Sequence, residues 1–282
     1  MTAHPETLAG AAPGTVLVRR GALARNLLTV VMIWRREMIR FLRSRVRVIT
    51  GLAQPVLFLF VLGVGLGPII GERAVGGVHY QAFIFPGVLV MSILFTAMFS
   101  AISIVWDREF GFLREMLVAP VSRASIVLGK AVGSATIAVG QGAVLLIAAP
   151  FVHVDLGVTD VFAMLGLLMV MAFTIVAFGI VVASRMQRVE SFQVVMSVVV
   201  QPMFFLSGAM FPLQGLPTWL GWAARLNPVS YGVDAVRRVL LGDHGAVTWN
   251  GRLLPLGVEV ALLAALGVAL LALAVRMFAR QD

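Results

Sequence analysis

The sequence predicts an all-α integral membrane protein with six transmembrane helices. Of its 282 residues, 60% are hydrophobic and only 12% are charged, whereas a soluble domain carries roughly 25% charged residues. One globular core cannot bury so much apolar surface, so lipid must be part of the solvent. The apolar runs that could each cross a bilayer as a helix of about 20 residues cover about 48–68, 82–105, 126–150, 160–184, 191–211 and 253–276. Residues 48–282 are therefore predicted to form one transmembrane domain.

The segment before the first run divides into a tail and an amphipathic helix. Residues 1–22 are predicted to be a flexible cytoplasmic tail. In residues 23–47, apolar side chains recur at helical spacing and most arginines lie on another face, which is typical of a helix in the membrane interface. The apolar set is Leu23, Leu27, Val30, Val31, Trp34, Met38, Phe41 and Leu42. The alternative is a basic tail that only sets the topology.

Basic residues are distributed unequally among the segments that join the runs. With both termini inside, 17 of the 22 Lys and Arg residues lie on the inner side and five lie on the outer side. Positive residues concentrate in cytoplasmic segments, so both termini are predicted to be cytoplasmic. The excess of Arg over Lys, with abundant Ala, Val and Gly, favours a bacterial source and hence a multi-pass protein of a bacterial plasma membrane.

Charge is dense in residues 106–125, between the second and third runs. Asp107 is a predicted helix N-cap, and Glu109 adds negative charge in the first turn, where the helix dipole favours it. An apolar stripe follows at Phe110, Leu113 and Leu117. Pro120 prevents the helix from continuing, and Ser122 or Ser125 can cap the next span.

These signals predict a short amphipathic helix on the inner surface, tied to both spans, with a polar face available to a cytoplasmic partner. Physical reasoning alone leaves a second interpretation open, in which the segment is a solvated interfacial loop.

Two long blocks carry a resemblance to a known family. Residues 106–130, WDREFGFLREMLVAPVSRASIVLGK, resemble the cytoplasmic coupling segment of type-2 ABC transporter permeases, especially drug and antibiotic exporters of the daunorubicin-resistance kind. Residues 202–242 resemble that family's fifth span and the external segment after it, and residues 54–67 resemble its first span. The resemblance covers nearly the whole chain in the expected order.

The resemblance implies partners and two functional regions. Two permease copies would pair, as a homodimer or with a related permease, and two cytoplasmic ABC ATPase subunits would dock on them. The implied ATPase-coupling residues are Asp107, Arg108, Glu109, Phe110, Leu113, Arg114, Glu115 and Met116. A short external helix after Asn227, with Pro228 in its first turn, fits the residues; the family implies that Asn227, Pro228 and Tyr231 belong to an external gate region.

The chemistry of the chain itself predicts transport rather than catalysis. The sequence has no Gly-x-x-x-x-Gly-Lys-Ser/Thr phosphate loop, so ATP and Mg are expected in the partner ATPase and no cofactor is expected in this chain. There is no cysteine, and the four histidines are isolated from one another, so no metal site is predicted.

Ionisable residues are scarce in the apolar runs, and Lys130, Asp160 and Glu259 lie near run ends. Lys130 is interpreted as a snorkelling cation and Glu259 as an interfacial residue near the outer face. An ion-coupled secondary transporter usually needs such groups at mid-membrane, and a polytopic lipid-modifying enzyme needs a polar constellation at one face. Neither alternative fits as well as the permease of an ATP-driven exporter for a hydrophobic or amphipathic cargo, such as a drug, a natural product or a lipid.

Small residues recur at four-residue spacing in the third run, starting with Gly129 and Gly133. Such positions allow close helix packing in lipid, but the pattern does not say whether the neighbouring helix belongs to the same subunit. Pro55 and Pro202 interrupt their runs and are predicted to kink them.

Overall fold

The computed structural model describes residues 22–71, 75, 77–111, 122–213, 216–242, 247–249 and 252–279. Nearly all of them are helical. In chain order the helices are α1 (Ala22–Arg43), α2 (Arg45–Ile70), α3 (Tyr80–Glu109), α4 (Arg123–Leu146), α5 (Val158–Arg185), α6 (Val189–Phe205), α7 (Thr218–Leu226), α8 (Pro228–Leu241) and α9 (Leu256–Ala279). A 3₁₀ turn covers Ala149–Val152, and β1 (Thr248–Trp249) pairs antiparallel with β2 (Arg252–Leu253).

Five of these helices are long and apolar enough to cross a membrane: α2, α3, α4, α5 and α9. They correspond to five of the six predicted spans. The remaining predicted span, 191–211, coincides with α6, an apolar helix of 17 residues that ends at Phe205 and is followed by turns. The helical architecture is thus confirmed, whereas the count of six spans stays a prediction.

Helix α3 lies at the centre of the bundle and is buried along most of its length. It is apolar on all sides, so it can be surrounded by other helices, and it packs against α2, α4, α5, α6 and α8. Helices α2 and α9 lie at the periphery and leave most of their apolar side chains at least partly exposed. Within α2, a π-helical segment at Phe58–Leu62 follows Pro55.

The small residues of α4 meet α1 of the same chain. A Cβ atom on Gly129 would lie 2.8 Å from Cβ of Ile33, and one on Gly133 would lie 3.1 Å from Cβ of Glu37. These glycines therefore allow the two helices to pack closely.

The predicted helix 23–47 ends earlier than expected, at Arg43, and Ser44 separates it from α2. Its location in the membrane interface stays a prediction, and residues 1–21 of the predicted tail lie outside the described residues.

Two predicted helix caps are present, and a third was wrong. Ser122 caps α4 by accepting a hydrogen bond from the Ser125 N–H at 3.1 Å, and Asn227 caps α8 by accepting one from the Val229 N–H at 3.1 Å. Asp107, predicted to begin a helix, instead lies in the last turn of α3. No residue breaks that helix before Gly111, whose φ of +82° is the left-handed conformation that ends many helices.

Candidate functional site

The last turn of α3 binds both sides of the turn between α5 and α6. Arg108 donates hydrogen bonds to the carbonyl oxygens of Ala183, Ser184 and Met186 at 3.4, 3.0 and 2.6 Å. These carbonyls belong to the end of α5, where backbone acceptors lack helical partners and the helix dipole favours a cation. Arg108 therefore caps a neighbouring helix within the chain.

Glu109 makes the complementary contact with α6. Its Oε2 accepts a hydrogen bond from the N–H of Val189, the first residue of that helix, at 3.2 Å. A carboxylate at a helix N-terminus is favoured by the dipole and satisfies a free N–H group. Thus two residues predicted to face an ATPase also fix the geometry of the permease itself.

Phe110 follows in the predicted coupling set and projects outward, with 70% of its surface exposed. Leu113, Arg114, Glu115 and Met116 lie outside the described residues. The docking role of the whole set stays a prediction. The structure does show that the segment starts from an anchored point, because Arg108 and Glu109 hold the preceding turn.

Asp107 takes part in a buried ion cluster, here called the Lys130 cluster, formed by Arg36, Glu37, Asp107 and Lys130. Lys130 Nζ lies 2.5 Å from Asp107 Oδ2 and 3.7 Å from Glu37 Oε1, and it also donates to the Ser103 hydroxyl at 3.2 Å. Arg36 Nη2 lies 3.3 Å from the same Asp107 oxygen and 3.2 Å from Glu37. The cluster joins α1, α3 and α4.

The interpretation of Lys130 as a snorkelling cation was wrong, because only 3% of its side chain is exposed. A buried cation must be compensated by nearby carboxylates, and those of Asp107 and Glu37 fill this role. Glu37 was missed by sequence reasoning. A single acid among the arginines of α1 is expected to form a surface ion pair, and no local sequence signal indicates its burial against α4.

A second buried cluster, here called the Arg238 cluster, consists of Asp234, Arg238 and Glu259 and joins α8 to α9. Arg238 Nη2 lies 2.8 Å from Asp234 and 3.3 Å from Glu259, and Nη1 donates to the Leu254 carbonyl. Glu259 was interpreted as an interfacial residue, but it is fully buried within the chain. Its Oε1 lies 3.3 Å from Arg238, which compensates part of the cost of that burial, since buried charges require a partner.

Arg237 fixes α8 against the start of α3. Its Nη2 donates to the Gly208 carbonyl at 2.7 Å, and its guanidinium lies 4.3 Å from the centroid of the Phe83 ring. Burial lowers the pKa of Arg237 to about 10, and the nearby charge of Asp234 partly opposes that shift. The side chain is therefore still a cation at neutral pH.

The predicted gate residues hold together the segment between α6 and α9. The Asn227 amide donates to the Met203 carbonyl at 2.6 Å, and the Tyr231 hydroxyl donates to the Arg225 carbonyl at 2.7 Å. Pro228 occupies the first turn of α8, where no intrahelical N–H bond is lost. These contacts attach α8 to the ends of α6 and α7; the role of this region as a gate stays a prediction.

The two clusters lie at opposite ends of α3. Arg237, in α8 beside the Arg238 cluster, packs on Phe83 near the first turn, whereas Asp107 belongs to the last turn. At 1.5 Å per residue, the axial distance between Phe83 and Asp107 is about 36 Å. The charged groups therefore mark both boundaries of the helix bundle rather than its middle.

This arrangement, apolar helices with fixed charges at both ends and an anchored turn at one end, suits a transport subunit. The family model for ABC-2 type transporters matches residues 29–241. The chain belongs to the ABC-2 type transporter family. Membership identifies it as a multi-pass permease, the membrane subunit of a transporter that works with an ABC ATPase.

Named ABC-2 relatives extend the comparison. The chain is 35% identical to Nodulation protein J of Rhizobium leguminosarum bv. trifolii over 227 residues, covering 78% of this chain and 84% of the relative. It is 32% identical to Nodulation protein J of Rhizobium meliloti over 228 residues, covering 79% and 85%. It is 29% identical to the putative transport permease ycf38 of Pyropia yezoensis over 228 residues, covering 78% and 72%.

Proposed function

We propose that this permease is the membrane subunit of an ATP-driven exporter that moves a hydrophobic or amphipathic cargo out of the cell. The observation that carries the proposal is the anchored end of α3. Because Arg108 and Glu109 bind α5 and α6, a force on the segment after Gly111 would act on three helices at once. An ATPase that grips this segment would therefore move the bundle rather than a flexible loop.

The proposed complex contains two permease subunits and two ATPase subunits. In this proposal α2 offers a surface for pairing, on which Leu57, Phe60, Val61 and Val64 are each at least 46% exposed. A homodimer and a heterodimer with a related permease are both compatible with this surface. In this proposal ATP and Mg bind to the ATPase, and this chain catalyses no reaction.

The cargo is proposed only as a class: a drug, a natural product or a lipid. The names of the relatives refer to nodulation and to transport. That this chain is an exporter like the daunorubicin-resistance permeases therefore stays a prediction, based on the resemblance of residues 106–130 and 202–242. A secondary transporter and a lipid-modifying enzyme are the alternatives. The carboxylates of the Lys130 and Arg238 clusters lie at the ends of the bundle and are paired with cations, which does not resemble a mid-membrane ion site.

The coupling role can be tested with a charge exchange, Arg114→Glu together with Glu115→Lys. This variant keeps the net charge and leaves the internal contacts of Arg108 and Glu109 in place. A reversed charge facing a buried partner costs on the order of 2–5 kcal/mol, and about 4 kcal/mol corresponds to nearly a thousandfold in affinity. We expect the variant to accumulate in the membrane, to lose the ATPase on co-purification and to lose export.

The matched control is Arg25→Gln, which removes an exposed charge of α1 outside the predicted docking segment. It should retain the ATPase. If the exchange variant also retains the ATPase and exports normally, the segment is a solvated loop and the coupling role is wrong.

The proposed location is a bacterial plasma membrane with both termini in the cytoplasm. The chain has no cysteine, so single cysteines report sidedness directly. In intact cells, an impermeant thiol reagent should label Gly76→Cys and Gly245→Cys but neither Thr7→Cys nor Gln281→Cys. Labelling of a terminal cysteine before the cells are opened would contradict this topology.

A further inference from the structure

Two histidines that are far apart in the sequence meet in the structure. His79 directly precedes α3, and His153 follows the 3₁₀ turn between α4 and α5. Their ring centroids lie 5.0 Å apart, and the two ring planes are inclined by 45°. The isolation of the histidines along the chain gave no reason to expect a metal site, but the fold brings this pair together.

Both rings are accessible, although the backbone that carries them is anchored. Tyr80, which follows His79, is buried, and its hydroxyl donates to a backbone carbonyl at 3.2 Å. Val152 and Val154, on either side of His153, are buried as well. The two histidines themselves are exposed. An ion in the surrounding solution can therefore reach two imidazoles whose positions are largely fixed in advance.

Local structure does not account for the position of either ring. Among the described residues other than glycine, His153 alone has a positive φ, of 59°. This left-handed conformation is unfavourable for a residue with a Cβ atom, and such outliers cluster at binding sites. His79 precedes α3, but its side chain forms no capping hydrogen bond with that helix. What the two side chains share is their contact with each other.

The distance between the rings fits a shared metal ion. In a tetrahedral zinc site the imidazole nitrogen lies about 2.0–2.1 Å from the ion, which places each ring centroid about 3.2 Å from it. Two rings bound at the tetrahedral angle would then have centroids about 5.2 Å apart, close to the observed 5.0 Å. No third His, Cys, Asp or Glu joins the pair within the described part of the chain, so water would complete the coordination.

We propose that His79 and His153 together bind one divalent transition-metal ion, Zn²⁺ or Cu²⁺. Imidazole is a ligand that suits both ions. In the proposed topology both residues lie on the outer side of the membrane, so the ion would come from the external medium. Once bound, it would crosslink the start of α3 to the connection between α4 and α5. The inference goes beyond the export proposal and does not depend on it, because the ion binds to the permease alone.

The test uses the full-length permease in phosphatidylcholine nanodiscs, purified with an affinity tag that contains no histidine and studied without ATPase or ATP. Zn²⁺ is titrated by calorimetry. Two imidazoles supply half of the ligands of a structural zinc site, so we expect one ion per chain with a Kd on the order of 10 µM. Mg²⁺, which prefers oxygen ligands, should show no saturable binding.

Single substitutions assign the ion to the pair. His79→Gln and His153→Asn each remove one imidazole, and asparagine tolerates the left-handed backbone at position 153. Each should weaken Zn²⁺ binding at least about tenfold, because even residues that only orient a metal ligand are worth that much. The double variant should bind little more weakly than either single variant, since both rings act on one ion. His244→Gln, which removes a histidine outside the described residues, is the matched control and should keep the parent affinity.

A second measurement counts the rings directly. With Cu²⁺ in place of Zn²⁺, pulsed electron paramagnetic resonance should show coupling to two imidazoles in the parent protein and to one at most in each single variant. The site would be overturned by the absence of saturable Zn²⁺ binding, by an unchanged affinity in either single variant, or by a Cu²⁺ spectrum of the parent with a single imidazole. Additive losses in the double variant would also contradict it, because the two histidines would then bind separate ions.

Discussion

The two ends of α3 are fixed by buried charges in different ways. Lys130 is held by two carboxylates and one hydroxyl, and no backbone carbonyl is among its bonding partners in the described part of the chain. At the other end, Arg237 and Arg238 each bind a backbone carbonyl, and Arg238 also pairs with Asp234 and Glu259. An arginine fork can keep several partners at once, whereas a lysine is a point charge. The stability of the α3 end that contains Lys130 therefore depends more strongly on an equal number of positive and negative charges than the stability of the arginine end does.

Loss of the lysine should give the largest effect. Lys130→Met would leave Asp107 and Glu37 buried, and among the described residues the partly exposed Arg36 would be their remaining cation. Removing one partner of a buried ion pair costs on the order of 3–5 kcal/mol. We expect a large fall in the thermal unfolding midpoint of the purified permease and reduced accumulation in membranes.

The double variant Lys130→Met with Asp107→Leu provides the control, because it removes one charge of each sign. It should recover much of the lost stability. A single variant as stable as the parent protein would show that water or structural relaxation compensates the acids, and the contrast between the two ends would then disappear.

A smaller loss is expected at the other end. In Glu259→Gln, Arg238 keeps its contacts with Asp234 and with the Leu254 carbonyl, and the new amide still offers an acceptor. Exchanging one charged hydrogen bond for a neutral one should cost about 1–2 kcal/mol, as measured in the same thermal unfolding assay. If Glu259→Gln lowered the free energy of unfolding as much as Lys130→Met does, the two ends of α3 would not differ, because the arginine end would then depend equally on one side chain.

The smallest effect on stability, with a separate effect on transport, is expected for Arg108→Gln. Its contacts are to carbonyls at the end of α5; Ala183 and Ser184 are buried, but Met186 is partly exposed, so water can replace part of what the guanidinium provides. The ATPase should still co-purify, while cargo exported per ATP hydrolysed should fall, because the last turn of α3 is no longer hydrogen-bonded to the end of α5. Arg185→Gln, which removes an exposed arginine at the same turn, is the control. Unchanged export per ATP in Arg108→Gln would show that coupling does not pass through this contact.

Local patterns were sufficient to predict most of the helices and two of their caps. Apolar runs of sufficient length located α2, α3, α4, α5 and α9, and the side chains of Ser122 and Asn227 could be recognised as caps from their neighbours. The position of Asp107 was missed because the helix ends where Gly111 allows it to end, whatever the charge before it. The absence of a long apolar run also correctly separated α7 and α8 from the spans.

The partners of the buried charges could not be predicted. Lys130 is 93 residues from Glu37, and Glu259 is 21 residues from Arg238. No local periodicity encodes which helix of a bundle faces which, and a charge near the end of an apolar run is as compatible with solvent as with burial. The small residues of α4 predicted a close neighbour, but only the packed structure identified it as α1.

The ribosome completes the residues of the Lys130 cluster before those of the Arg238 cluster, and this order affects how the protein assembles in the membrane. Its last member is residue 130, whereas the Arg238 cluster is incomplete until residue 259. At about 5–20 residues per second, translation separates the two events by roughly 6 to 25 s. During that interval the nascent chain can already join α1, α3 and α4, while the Arg238 cluster between α8 and α9 is not yet complete. The N-terminal helices would therefore form a template in the membrane onto which the later helices assemble.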